Sequence, residues 1–258
     1  MIQSVTLVGA GNLATCLGVA LKKAGIKILQ VYSRTEESAK TLAEKLGTPY
    51  TIEIDKITLN ADLTIFALKD DILESLLSRL NCRGKLIAHT AGSLPMSLLA
   101  HHSEKYGVFY PLQTFSKQRE ADFKEIPICV EGANSEIVDE LSELASKLSD
   151  KVERITSDQR QSLHLAAVFV CNFVNHFYYL GHQVVQKYGV DFELLKPLIQ
   201  ETAGKVMEID PYEAQTGPAK RFDETIINKH LKFLSDQPEM KEIYSFVSQS
   251  IFDAHKSE

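Results

Sequence analysis

Ser4-Val-Thr-Leu-Val-Gly-Ala-Gly-Asn-Leu-Ala14 reads as a short buried strand running straight into Gly9-x-Gly11-x-x-Ala14. In such a turn Gly9 permits the tight passage from strand to helix. Gly11 lets a pyrophosphate approach the backbone, and the small Ala14 lets helix and strand pack closely. The phosphates would rest on the free N–H groups and positive end of a helix that begins near Asn12 and Leu13.

A glycine fingerprint alone is weak, because an ordinary strand–turn–helix looks similar, so its surroundings decide. Residues 5–8 are β-branched and apolar, and Leu13, Leu17, Ala20, Leu21 and Ala24 recur at helical spacing before Gly25 ends the helix. Lys27–Tyr32 follows as a second strand, which completes a βαβ unit within the roughly 30 residues it requires. At the end of that strand, about 20 residues beyond the glycines, NAD-binding proteins carry a carboxylate for the ribose 2′-hydroxyl. This chain has Ser33-Arg34-Thr35 instead. A guanidinium can grip a 2′-phosphate through parallel hydrogen bonds, and the two hydroxyls can add more, so the expected cofactor is NADP. On the plainer alternative Arg34 is a solvated loop residue and Thr35 only an N-cap for the helix Glu36–Leu46.

The 258 residues allow one large domain or two ordinary ones, and 44% hydrophobic content supports a substantial core. A net charge of -6 argues against general affinity for nucleic acid or anionic membrane. Cys16, Cys82, Cys129 and Cys171 lie far apart without paired metal spacing, which suits reduced thiols in a cytoplasm. No basic segment followed by an apolar run precedes the first strand, so no signal peptide is expected. The expected location is cytoplasmic.

Alternation continues with strands at 63–68, 85–89 and 106–110 and helices at 71–80 and 94–102, which implies a doubly wound parallel sheet. Strands at 126–130 and 151–155 flank a helix, Ser135–Leu148, and close a dinucleotide-binding domain, 1–156. From 157 the segments become long and helical, giving a second domain, 157–258. Its first helix, 158–188, is apolar on nearly every side from Leu163 to Val185, which predicts burial all round, between the sheet domain, its own helical neighbours and a second subunit. His164, Asn172, Asn175, His176 and His182 interrupt it, so a membrane span is the poorer reading. Further helices are expected at 192–209, stopped by Pro211, at 223–234 and at Pro238–His255.

Ligands of doubly wound sheets lie beyond the carboxyl ends of the strands, so the residues leaving each strand are the site candidates. After the third strand, Ala67 is small enough for a nicotinamide ribose to come close, with Lys69 beside it. His89-Thr-Ala-Gly-Ser93 brings an imidazole, Thr90 and Ser93 to a strand mouth, and Tyr110-Pro-Leu-Gln-Thr-Phe115 adds Gln113. The plainer readings are an Asp-capped helix start, a glycine turn and a rigid proline turn. Polar groups in an apolar helix are costly unless paired, which singles out His164 with Asn172. Thr216-Gly-Pro-Ala-Lys-Arg-Phe-Asp-Glu-Thr225 offers Arg221 for a substrate carboxylate and Asp223 as a helix cap that also orients Arg221, with His230 beyond. Hydride transfer asks the protein to hold two carbons together and to move one proton, a task that suits a histidine. No His or carboxylate cluster has metal-ligand spacing, so no metal is expected.

On these motifs the chain resembles a family of Rossmann-like NADP oxidoreductases whose helical C-terminal domain is known only as a domain of unknown function. The resemblance spans essentially the whole length. It rests on Gly9 to Ala14, Ser33-Arg34, His89 to Ser93, Tyr110 to Phe115, His164-Leu-Ala-Ala-Val-Phe-Val-Cys-Asn172, and Thr216-Gly-Pro with Arg221-x-Asp223-x-Thr225 and His230. More distantly it is similar to pyrroline-5-carboxylate reductase, deazaflavin-dependent NADP reductase and the 6-phosphogluconate dehydrogenase group. Those relatives imply an all-α C-terminal domain of the 6-phosphogluconate dehydrogenase type that often dimerises. Two positions depart from the pattern: Tyr110 stands where a histidine is expected, and Phe222 where glycine is expected. The first weakens a proton-transfer role for that loop. The hydroxyacid dehydrogenases' Lys-x-x-x-Asn pair is absent from the long helix.

The expected function is NADP(H)-dependent hydride transfer on a small polar carbonyl, imine or hydroxy compound, with the site between the domains of a homodimer. His164, His89 and Asn172 are the catalytic candidates. Gly9, Gly11, Asn12, Leu13, Ser33, Arg34, Thr35, Ala67, Lys69, His89 and Thr90 are expected at the cofactor, and Ser93, Gln113, Arg221, Asp223 and His230 at the substrate. The alternative is a catalytically silent NADP-binding sensor or partner protein. Neither nucleic acid nor membrane is expected as a partner.

Overall fold

The structure is a computed structural model that describes residues 1–256. Four apolar or β-branched residues in succession make β1 (Ser4–Val8) a strand covered on both faces, as a central parallel strand must be. It runs between β2 (Lys27–Tyr32) and β4 (Leu63–Phe66), parallel to both. With β3 (Tyr50–Thr51), β5 (Ile87–His89), β6 (Tyr106–Pro111), β7 (Ile128–Gly132) and β8 (Val152–Arg154), the sheet order is β3-β2-β1-β4-β5-β6-β7-β8. The chain order turns back between β1 and β4. That reversal opens a crevice at the carboxyl ends of the strands, where Gly9, Ser33 and Ala67 all emerge.

The helices α1 (Asn12–Lys23), α2 (Glu36–Leu46) and α4 (Ser135–Leu148) bury their apolar stripes in the larger core, around Leu7, Leu17, Leu42, Phe109 and Leu141. On the other face α3 (Asp70–Leu77) packs Leu73, Leu76 and Leu77 against Phe66 and Ile87. The sheet is not uniformly parallel, as the alternation predicted. β7 runs antiparallel to β6, and β8 follows the direction of β7. Residues 112–127 contain only a single 3-10 turn, Phe123–Glu125, and without a crossover helix the chain returns as a neighbouring antiparallel strand. The helix expected at 94–102 is likewise a 3-10 turn, Met96–Leu99. Pro95 holds the residue before it out of the helical region.

The helix Ser157–Lys187 is continuous over 31 residues. It consists of α5 (Ser157–Ala167), π turns over Val168–Phe173, and α6 (Val174–Lys187). By length and composition it could cross a membrane, with a mean hydropathy of 1.2 over its most apolar window. The expected burial all round is not what the chain provides. No residue of α6 is buried, and Leu165 and Val170 are 60% and 73% exposed. Apolar character states that a face needs cover; this single chain does not supply it.

The chain divides into two compact units, Met1–Asn172 and Phe173–Glu258. The division falls inside the long helix instead of at 156, because α5 is bonded to the sheet unit through the side chains described below. The second unit contains α6, α7 (Lys196–Glu208), α8 (Pro211–Ala214), α9 (Glu224–Phe233) and α10 (Pro238–His255). Helices α6 and α10 with Leu234 and the 216–219 loop line an open apolar pocket of about 370 Å³, which includes Phe177, Leu180, Ile243 and Ile251.

Candidate active site

Gly9 and Gly11 are glycines for different reasons. Gly9 has a φ of 128° and donates its N–H to the Tyr32 carbonyl at 2.8 Å. A methyl group there would lie 2.1 Å from the Ala67 carbonyl oxygen, so the fold itself demands glycine. Gly11, at φ -75° and ψ -171°, is in a conformation open to any residue, and a methyl group would meet nothing within 4 Å. Nothing in the chain requires glycine at that point. No side chain caps α1 and no acid occupies its first turn, which leaves the N–H groups of Asn12, Leu13 and Ala14 open at its positive end. The turn therefore fits a pyrophosphate.

Arg34 is exposed and has no partner among the described residues. Thr35 occupies the N-cap position of α2, yet its hydroxyl makes no capping bond, and the Ser33 hydroxyl is also unpaired. Three unengaged polar groups in a row suit a phosphate. Lys69 is exposed at the N-cap position of α3 and does not cap it. Ala67 is half-buried, with its carbonyl against Gly9.

His89 requires a correction. It is fully buried, its Nδ1 accepts from the Ala91 N–H at 3.1 Å, and burial, reinforced by the charge of Arg160, pushes its pKa down to about 4. The ring is a neutral imidazole that shapes the turn after β5, with its buried Nε2 left without a partner among the described residues. Thr90 is buried beside it, with its N–H on the Phe66 carbonyl at 3.2 Å. Ser93 donates to Asp70 at the start of α3, and Gln113 is exposed with its amide oxygen on the Thr114 N–H at 2.9 Å.

Helix α5 begins with a capping box between Thr156 and Gln159. One residue later comes Arg160, which the sequence reading passed over. It is wholly buried and donates to the Ala91 and Gly92 carbonyls at 2.8 and 3.0 Å, to the Ser157 hydroxyl at 3.1 Å and to the Glu131 carboxylate at 3.3 Å. Four positions on, along the same helix face, His164 Nδ1 lies 3.1 Å from the Tyr110 hydroxyl at the end of β6. The histidine ring meets that of Tyr110 edge-on and lies against Gly92, where a methyl group would come within 2.5 Å of Nδ1. Arg160 thus fastens the turn that His164 packs upon. Asn172 is exposed within the π turns.

In the second unit Arg221 is exposed without a partner among the described residues, and Asp223 caps α9 through the Ile226 N–H at 3.1 Å, as expected; it makes no bond to Arg221. Phe222, in place of the expected glycine, takes a left-handed φ of 48° and stacks on Phe252 at 4.1 Å between ring centres. His230 Nδ1 lies 2.8 Å from the Tyr244 hydroxyl. A separate groove of about 840 Å³ along α1 and residues 117–124 includes none of the candidates. Among the described residues no group of three or more His, Cys, Asp or Glu is arranged to hold a metal.

Residues 2–113 match a Rossmann-like domain, and residues 126–251 match DUF2520, a domain of unknown function. A Bacteroides fragilis protein provisionally designated an NADP oxidoreductase, BF3122, is 48% identical, with 98% of each chain covered and a TM-score of 0.92. A reductive aminase from Aspergillus terreus, solved with NADPH and ethyl-5-oxohexanoate, is 18% identical over 99% of this chain and 96% of its own, with a TM-score of 0.72. An imine reductase from Myxococcus stipitatus, solved with NADP+, is 17% identical over 98% and 93%, with a TM-score of 0.67. No curated protein matches the chain.

Proposed function

Because this chain belongs to the family that joins a Rossmann-like domain to DUF2520, we propose that it is an NADP(H)-dependent oxidoreductase of small polar carbonyl, imine or hydroxy compounds. The observation that carries the cofactor is Arg34, exposed, unpaired and flanked by two free hydroxyls at the β2 exit. Bound there, the cofactor supplies the hydride. The open N–H groups at the start of α1 take its pyrophosphate, and Gly11 lets that group reach the backbone. His164 serves as the proton donor and Arg221 as the anchor for a substrate carboxylate. Ser93, Gln113, Asp223 and His230 complete the proposed substrate contacts, and Asn172 accompanies His164.

Arg34→Ala should weaken NADPH roughly ten- to a hundredfold, the value of one hydrogen bond to a charged group, and more if both bonds of the pair are lost, and leave NADH affinity unchanged. Fluorescence titration of both cofactors against both proteins measures this. Equal affinity of the wild-type protein for NADPH and NADH would overturn the assignment. Oxidation of NADPH over a panel of keto acids, cyclic imines and aldehydes tests turnover against a silent sensor.

We also infer a two-fold dimer built largely by the helical segment. Among the described residues of the second unit only Ala219 and Leu234 are buried apolar ones, far too few to hold helices together without further cover. A second copy of the chain supplies that cover more simply than a lipid phase, since His164, Asn175, His176 and His182 interrupt the same helix. Light scattering at micromolar concentration should give twice the chain mass, and Val170→Asp should shift it toward one chain. A wild-type monomer would remove the inference.

A further inference from the structure

The Tyr110–His164 contact goes beyond a histidine near a strand exit. Resting on the reading of His164 as proton donor, we propose that Tyr110 and Gly92 are positioning residues that fix the His164 ring in the tautomer carrying its proton on Nε2.

Three observations converge. The Tyr110 hydroxyl has His164 Nδ1 as its one hydrogen-bond partner among the described residues, at 3.1 Å. Tyr110 is 7% exposed, and burial raises its pKa, so the phenol keeps its proton and has a single place to donate it. Gly92 brings the turn backbone against the Nδ1, Cγ and Cβ side of the ring, closer than any residue with a side chain would allow. That turn is itself held by Arg160 through the carbonyls of the two peptides that flank the Gly92 Cα, those of Ala91 and Gly92. The ring is therefore gripped along one edge. His164 Nε2 has no partner among the described residues.

The chemistry follows from the tautomer. A neutral imidazole carries one proton, and the nitrogen that accepts from a phenol cannot hold it. With Nδ1 occupied, the proton sits on Nε2. When the ring takes up a second proton, the phenol rotates and accepts from Nδ1–H, so Tyr110 remains bonded in both charge states. The imidazolium can then release its Nε2 proton to the nitrogen or oxygen of a reduced C=N or C=O group. It is left neutral with its remaining proton on Nδ1; a proton taken from water at Nε2, and loss of the Nδ1 proton as the phenol turns back to donate, restore the resting tautomer. Tyr110, unexpected at a position where histidine was anticipated, thus acts on the proton through His164.

The test uses the full-length protein labelled with 15N histidine, with the His164 resonances assigned by loss in His164→Gln. The wild type should show the Nε2–H tautomer alone, whereas Tyr110→Phe should populate both tautomers. Gly92→Ala, which pushes the ring off the turn, should mix them as well. On any substrate that the panel shows to be turned over, Tyr110→Phe should lower kcat at least about tenfold with KM little changed, within the range that general acid catalysis contributes. A mixed tautomer in the wild type, or a Tyr110→Phe spectrum identical to it, would overturn the proposal, as would an unchanged kcat. NADPH affinity, read on the same samples, separates the two levels. A locked tautomer without NADPH binding refutes the functional reading alone, and NADPH binding with a mixed tautomer refutes this inference alone.

Discussion

Gly9→Ala should melt far below the wild type, while Gly11→Ala should melt with it and fail to hold NADPH. The first change places an L-residue at a φ of 128° and sets its methyl group 2.1 Å from the Ala67 carbonyl oxygen. Left-handed strain of this kind costs on the order of 1–3 kcal/mol before any steric overlap is relieved. Relief means parting the exits of β1 and β4, whose ends are joined there by the Ala67 N–H on the Val8 carbonyl at 2.8 Å. A total of about 3 kcal/mol or more corresponds to a fall of roughly 6–12 °C in Tm for a domain of this size. The second change meets no atom of the chain within 4 Å. Its effect falls on the pyrophosphate, and losing one hydrogen bond to a charged group weakens NADPH by about tenfold or more. Circular dichroism melts and fluorescence titrations of the pair decide the matter. A Gly9→Ala protein as stable as the wild type, or a Gly11→Ala protein with full affinity, contradicts the division of labour.

Arg160→Leu should be the most damaging substitution on α5. It leaves the Glu131 carboxylate with the Ser157 hydroxyl alone and strips two carbonyls of their donor in one step, and breaking a buried ion pair from one side costs about 3–5 kcal/mol. Adding Glu131→Gln removes the stranded charge, so the double variant should recover part of the loss while the carbonyls stay unpaired. Chemical denaturation of the single and double variants measures both effects. If Arg160→Leu costs less than about 1 kcal/mol, a range typical of surface pairs, the network does not hold the turn.

The parts of the molecule legible in the sequence are those whose cause is local. The strand before Gly9, the helix after it and the second strand follow from periodicity and turn chemistry within about 30 residues. The exposed place of Arg34 after β2 is legible from its distance beyond the glycines; its hold on a 2′-phosphate belongs to the proposal. Arg160 was not legible. A lone arginine near a helix start reads as a solvated residue, and only packing against carbonyls 68 and 69 positions away makes it a buried one. The direction of β7 was missed for a similar reason, since a strand's apolar pattern does not encode its polarity in a sheet. His89 looked available because it ends a strand, but the turn folds back over it and takes its Nδ1. Phe222 shows the limit of resemblance: the left-handed backbone that a glycine would favour is kept, with phenylalanine in it.

The π turns at Val168–Phe173 carry a consequence of another kind. A hydrogen bond from i to i+5 takes in one residue more than the ordinary helical turn, and one residue is a rotation of about 100° around the helix axis. An α-helical wheel drawn through residues 157–187 therefore loses phase halfway along. In that sense the helix holds an insertion without a bulge. Removing one residue from the segment would restore an even ladder, and every side chain after it would acquire a new bearing. Arithmetic of chain length, to which composition is blind, thus sets the phase of a helix face.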